Sequence, residues 1–188
     1  MNDTVIIDSR EKEKAIQKIK KYFDDNNIKY ITSKLYCGDY QLLSNGKIVV
    51  DRKQNLAEIM QNVTQKRFRD ELIRAKKAGI HLIILIEHSK DITCIDDITK
   101  WKNPRLEQYK RTLKWKLGLN YHAEFNEWYL YREAKDKGLK PRKPPISPEQ
   151  LRKALHTIED NKEEYDVSFE FCSKSETGAK ILEILSQK

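Results

Sequence analysis

The chain has 188 residues, which suits one domain, or one domain carrying an insertion. Lys and Arg number 37 against 29 Asp and Glu, a formal charge of +8 that favours an acidic partner, most simply nucleic acid. A mean hydropathy of −0.80 and a longest apolar run of only Leu82 to Ile86 exclude a helix that spans a membrane.

Met1-Asn2-Asp3-Thr4 leads straight into Val5-Ile6-Ile7, a buried strand ending at Asp8, with no signal-peptide pattern. Glu11 to Asp25 places apolar residues at 15, 16, 19, 22 and 23, the spacing of an amphipathic helix, and Asp24-Asp25-Asn26-Asn27 stops it. Tyr30 to Leu35 is strand-like. Asp39 to Leu43 and Lys47 to Asp51 flank Ser44-Asn45-Gly46, a hairpin signal. Leu56, Ile59, Met60 and Val63 predict a short helix, and Phe68, Leu72, Ile73 and Ala75 a second that ends at Gly79. Leu82 to Ile86 reads as a central strand buried on both faces and closing at Glu87. This order predicts an α/β domain with a mixed sheet.

The pattern then changes. Residues 88–147 hold all three tryptophans, and from Lys100 to Lys116 seven cations face Glu107 alone. Leu106, Tyr109, Leu113 and Leu117 form the apolar face of a helix whose other face is cationic, and a second helix follows over Ala123 to Lys137. Pro141 to Pro148 is a stiff connector. Helix, strand and helix resume over Gln150–Glu159, Val167–Phe171 and Lys174–Leu185. Residues 1–188 thus read as one α/β domain split by a helical basic insertion at 88–147.

Cys37, Cys94 and Cys172 are scattered and odd in number, which speaks against a disulfide framework or a zinc cluster and for a reducing cytoplasm. The four histidines show no HxxxH or HExxH spacing, and no Gly-rich phosphate loop is present, which disfavours a nucleotide-hydrolysing motor.

The chemistry-bearing candidates lie on the hairpin. Alternation puts Asp51 and Lys53 on one face of their strand and Arg52 on the other. Register decides whether Asp39 joins them. A two-residue Asn45-Gly46 loop sets Asp39 opposite Arg52. A three-residue loop, with Gly46 left-handed, pairs Leu43 with Lys47 and Asp39 with Asp51, and this register, or a bulge with the same effect, is the expected one. Two carboxylates so close repel unless a cation joins them. Magnesium fits, because it prefers oxygen ligands and keeps several waters. Such an ion polarises a phosphate and acidifies water, and a lysine beside it stabilises charge on phosphorus.

Val5-Ile6-Ile7-Asp8-Ser9-Arg10-Glu11, Gly38-Asp39-Tyr40, Val50-Asp51-Arg52-Lys53 and Leu82-Ile83-Ile84-Leu85-Ile86-Glu87 together resemble the nuclease domain of the XPF family of structure-specific DNA endonucleases, within the PD-(D/E)XK superfamily. The likeness is good over residues 4–87 and weaker over 148–185. With its insertion the chain looks like small phage or mobile-element members. The resemblance implies a restriction-endonuclease-like mixed central sheet flanked by helices, and metal-dependent hydrolysis of branched or structured DNA in repair or recombination. It implies Asp39, Asp51 and Asp8 as metal ligands and Lys53 as the catalytic lysine. The cofactor would be magnesium, with manganese able to substitute. Arg10, Arg52 and Arg67 fall where the family places basic residues near the cleft, and Glu11, Glu58 and Glu87 are accessory acids to consider. Two departures stand out: Asp51 replaces the family's usual Glu, and Ala57 occupies a position that is commonly Asp, with Glu58 next along.

Plainer readings accompany several of these residues. Asp8 also suits an N-cap, Glu87 a surface acid, and Arg67, Arg69 and Arg74 a solvated helix face. In the insertion, Lys110, Arg111 and Lys114 are the favoured DNA contacts, and most of its aromatics are expected in a core. Members of the family pair through their nuclease domains and usually also through a tandem helix–hairpin–helix module. None is read here, so a homodimer through the nuclease domain alone is expected, in the cytoplasm (the host's, if phage-encoded). The alternatives are a non-catalytic DNA-binding or adaptor subunit of the same fold, which retention of Asp39, Asp51 and Lys53 argues against, and a protein-interaction module.

Overall fold

A computed structural model describes residues 3–187; Met1 and Asn2, read as the approach to the first strand, lie outside them, as does Lys188. The elements are β1 (Val5–Asp8), α1 (Glu13–Asp25), β2 (Tyr30–Ser33), β3 (Tyr40–Leu42), β4 (Ile48–Lys53), α2 (Leu56–Asn62), α3 (Lys66–Lys77), β5 (His81–His88), α4 (Pro104–Leu117), α5 (Glu127–Asp136), α6 (Pro148–Asp160), β6 (Val167–Ser173) and α7 (Thr177–Leu185). A 3-10 turn, Asp96–Lys100, precedes α4. The strands form one mixed sheet in the order β2-β1-β3-β4-β5-β6. β1–β3 and β3–β4 are antiparallel, and the other neighbours are parallel.

Central β5 is apolar on both faces because helices cover both. Leu82, Ile84 and Ile86 pack with α2, α3 and α6, while Ile83 and Leu85 pack with α1 and α7. Each such side chain contributes roughly 1.5–3 kcal/mol on burial, so this strand anchors the domain. α1 and α7 approach closely enough that a Cβ at Gly178 would fall 2.7 Å from the Tyr22 ring.

The 88–147 stretch divides in two. Ile92, Ile95, Ile98 and Trp101 join the core that α2, α3 and α6 share with the sheet. What stands apart is the antiparallel pair α4–α5, with its own small core of Leu113, Leu117, Leu130 and Ala134. Asn103 Nδ2 donates to the Ile146 carbonyl at 3.0 Å, stapling the two stems of this helical hairpin together. α4 starts later than the cation count suggests, because Asn103 caps it and Pro104 takes its first turn. α6 starts earlier than expected: Ser147 and Gln150 close a capping box around Pro148.

Candidate active site

β3 and β4 pair Tyr40 with Val50 and Gln41 with Val49. This is the register that the three-residue loop predicts, but the ladder stops at Tyr40: the Asp39 N–H donates to the Val50 carbonyl at 2.8 Å, one residue out of step, and Asp39 and Asp51 still line the same cleft. The expected left-handed Gly46 is absent: Gly46 is not among the residues of positive φ. Asn45 makes the turn instead, its Oδ1 accepting from the Lys47 N–H at 3.0 Å. Gly38 carries the strain at the other end of β3. Its φ is +64°, and a Cβ there would lie 2.5 Å from Val49 Cγ1. Only glycine lets the chain press against β4 at that point, and this delivers Asp39 to its place beside Asp51.

Asp51 and Lys53 face α2 and α3, across a cleft of ≈ 280 Å³ that they line with Arg10, Asp39, Glu58 and Arg67. Asp39 Oδ2 accepts from the Arg52 N–H at 2.8 Å. Lys53 Nζ lies 2.9 Å from Asp51 Oδ1 as a hydrogen bond. It lies 2.6 Å from Oδ2 in an ion-pair contact, so the ammonium faces both carboxylate oxygens. Burial, then Asp51, pushes the Asp39 carboxyl well above the usual carboxylate range. Burial pulls the Lys53 ammonium down, but Asp51 and Asp39 outweigh it and hold the group above its ordinary value.

Asp8 is the sheet neighbour of Asp39, its N–H donating to the Asp39 carbonyl at 2.8 Å, but it does not line the cleft. Its Oδ1 accepts from the Arg10 N–H and Nε at 2.7 Å each, and its Oδ2 from Arg10 Nη2 at 2.8 Å and the Leu35 N–H at 2.7 Å. Burial pushes the Asp8 carboxyl up, and these donors more than offset it and hold it below the usual range. A carboxylate with four donors satisfied is a brace for Arg10, and Arg10 is what reaches the cleft. Among the described residues no group of three or more His, Cys, Asp and Glu side chains converges as a metal cage. Asp39 and Asp51 remain, two hard oxygen ligands in a cleft with space for water and phosphate, which suits magnesium.

Arg52, expected near DNA, is buried on the opposite face of the sheet. Its Nε donates to Glu87 at 2.6 Å, Nη1 to Glu11 at 3.2 Å and Nη2 to the Ala15 carbonyl at 3.2 Å. Glu87 also accepts from the Thr177 hydroxyl at 2.9 Å. These acids serve Arg52, and the cluster ties β4, β5, α7 and the start of α1 together. Glu58 does line the cleft, but its Oε2 accepts from the Gln54 N–H at 2.8 Å while Asn55 caps its own N–H. It closes the α2 N-terminus from a position that the preceding residue, Ala57, cannot reach. Arg67 is exposed at the rim.

Lys110, Arg111 and Lys114 lie elsewhere, in a cleft of ≈ 460 Å³ between α4 and α5. Lys110 Nζ faces Glu127 at 3.5 Å, and Lys114 Nζ donates to the Tyr121 carbonyl at 3.1 Å and sits over Phe125. Of one exposed pair, the sequence marks Arg74 as part of a solvated helix face and passes over Tyr36. Tyr36 lies three residues before Asp39, with the Arg74 guanidinium 5.8 Å from its ring centre. Helical spacing from Arg67 to Arg74 was the only signal for that pairing.

No curated protein sequence matches the chain. Among solved structures, XPF from Aeropyrum pernix aligns at 14% identity with a TM-score of 0.47, over 97% of this chain and 63% of that one. The chain thus spans under two thirds of that protein's chain. A second structure, XPF from Aeropyrum pernix in complex with DNA, aligns at 13% identity with a TM-score of 0.40 over the whole of both chains. No helix among the described residues is long and apolar enough to cross a membrane. The ERCC4 domain pattern matches residues 7–185, almost the full length, and the chain belongs to the ERCC4 domain family.

Proposed function

We propose that the chain is a magnesium-dependent endodeoxyribonuclease that hydrolyses phosphodiester bonds in branched or partly single-stranded DNA, with manganese able to replace magnesium. One observation supports this reading: Asp39 and Asp51 line the same cleft, and Asp51 adds to burial in pushing the Asp39 carboxyl well above the usual range. Two acids that repel in one cleft call for a cation between them. Asp39 and Asp51 would hold the ion, which when bound supplies Lewis-acid polarisation of the phosphate and a more acidic water.

The chain's own groups do the rest. Lys53, charged at neutral pH, stabilises the charge that builds on the phosphate oxygens and orients the attacking water. Arg10, set by its two-pronged grip on Asp8, and Arg67 at the rim hold phosphates on either side of the bond that breaks. Pairing of two chains through the nuclease body belongs to the same proposal, and sedimentation velocity checks it.

The test uses end-labelled branched and linear DNAs with magnesium, manganese or chelator. Cleavage is expected with either ion and not in chelator. Asp51→Ala and Lys53→Ala should each lower the rate by about 100-fold or more. Cleavage that persists in chelator, or in both variants, overturns the mechanism.

A further inference from the structure

Charge and aromatic exposure concentrate in one part of the molecule. Residues 88–147 hold 14 of the 37 cations and 8 of the 29 acids, a net +6, which leaves +2 for everything else. Within this stretch α4 carries Trp115, 80% exposed, the most exposed of the large apolar side chains among the described residues. A tryptophan so placed does nothing for the small core beneath it, which Leu113, Leu117, Leu130 and Ala134 already fill. Helical spacing sets Arg111 one turn before Trp115 on the same face. Lys116 adjoins it, and neither cation has an acidic partner among the described residues. Arg111 also lines the ≈ 460 Å³ cleft between α4 and α5, with Lys110, Lys114 and the 55% exposed Tyr121.

We propose that the α4–α5 hairpin is a binding arm for an unpaired DNA strand, with the phosphates along Arg111, Lys114 and Lys116 and a base stacked on Trp115. The alternation of cation and bare aromatic ring carries the choice of occupant. Cations alone would grip any phosphate backbone, duplex included, whereas an open indole face gains only from a base that is out of its stack. The arm has its own core and a stapled base, so it presents these groups on rigid helices, away from the cleft that holds Asp39 and Asp51. This deepens the nuclease reading above, and rests on it for the substrate class: the arm selects the single-stranded portion of a branched DNA while the cleft cuts.

The test is direct binding by the full chain, in chelator so that nothing is cleaved. A fluorescein-labelled oligothymidylate and a blunt duplex of equal length are titrated at several salt concentrations, with tryptophan quenching read alongside. Oligothymidylate should bind more tightly than duplex and quench the tryptophans. Trp115→Ala should weaken oligothymidylate binding by about tenfold, abolish most of the quenching and leave the melting temperature unchanged; Trp115→Phe should restore most of the affinity. Arg111→Gln should shrink the slope of log affinity against log salt by about 0.7. Unchanged oligothymidylate binding in Trp115→Ala overturns the proposal, as does binding that ignores salt, which points to a protein partner instead. The two readings fail separately. Tight oligothymidylate binding with no cleavage under any divalent ion removes the nuclease and leaves the arm. Cleavage with Trp115→Ala binding unaltered removes the arm and leaves the nuclease.

Discussion

The sheet-built body and the α4–α5 hairpin solve opposite problems. The body packs apolar layers on both faces of its sheet and then buries Asp51, Lys53, Arg52 and Glu87 among them. Arg52 and Glu87 are held by partners from distant parts of the chain. The hairpin's own core holds four buried apolar residues, and it spends most of its cations and its most exposed aromatic side chain on the surface. Precise charge placement needs a large, rigid surround, because a misplaced buried charge costs several kcal/mol. A grip on a flexible polyanion needs none of that, so a minimal scaffold suffices.

The sharpest way to break this contrast is inside the body. Arg52→Ala leaves Glu87 buried and strips Glu11 of its cation. Removing one partner of a buried pair costs about 3–5 kcal/mol, and urea unfolding of the variant should show a loss of that size. A loss under 1 kcal/mol would mean that the cluster is solvated and that the body is not built around it.

The hairpin should respond differently. Leu130→Ala removes a wholly buried side chain, a change worth about 2–5 kcal/mol at a core site. None of the other buried residues of that small core belongs to the two cores of the body. Hydrogen exchange should therefore accelerate in α4 and α5 while β5 keeps its protection. Equal acceleration in both would show that hairpin and body unfold as one unit.

Between the two regions sits the turn that aims Asp39. Gly38→Ala forces a side chain into a left-handed backbone and against Val49. It should destabilise the chain by about 1–3 kcal/mol, read from the denaturant midpoint, and lower the cleavage rate by displacing Asp39.

The elements that local pattern controls were legible in the sequence. Leu82 to Ile86 is apolar without break, and β5 is covered on both faces. The hairpin register followed from loop length and the need to bring two acids together. Long-range partners were not legible. Alternation correctly sent Arg52 to the face opposite Asp51, but nothing near it announced Glu11, Glu87 and Thr177 as the groups that would bury it. Asp8 and Arg10 looked like two site residues, whereas the turn after β1 folds one onto the other. Ile92, Ile95 and Ile98 read as part of an insertion because basic residues follow, yet their spacing lets a 3-10 turn dock on α6.

The smallest expected effect concerns the thiols, and it maps the same division by solvent access. Cys37 sits beside the cleft in the body and Cys172 at the end of β6, and burial pushes both up to about 11. At pH 8 a thiol of that pKa is ionised in about one molecule in a thousand, and the thiolate is the reactive form. Cys94 is exposed. Iodoacetamide at pH 8 should therefore modify one cysteine per folded chain within minutes and all three only after unfolding. The sign of the pH dependence follows. An unfolded chain ionises these thiols near 8.5, so the stability that comes from keeping Cys37 and Cys172 neutral is whole below that value. It drains away as pH rises towards 11. The urea midpoint of the wild type should thus fall through that interval more steeply than that of Cys37→Ala. Parallel curves would mean that the Cys37 thiol is solvated, and that the core around it is open to water.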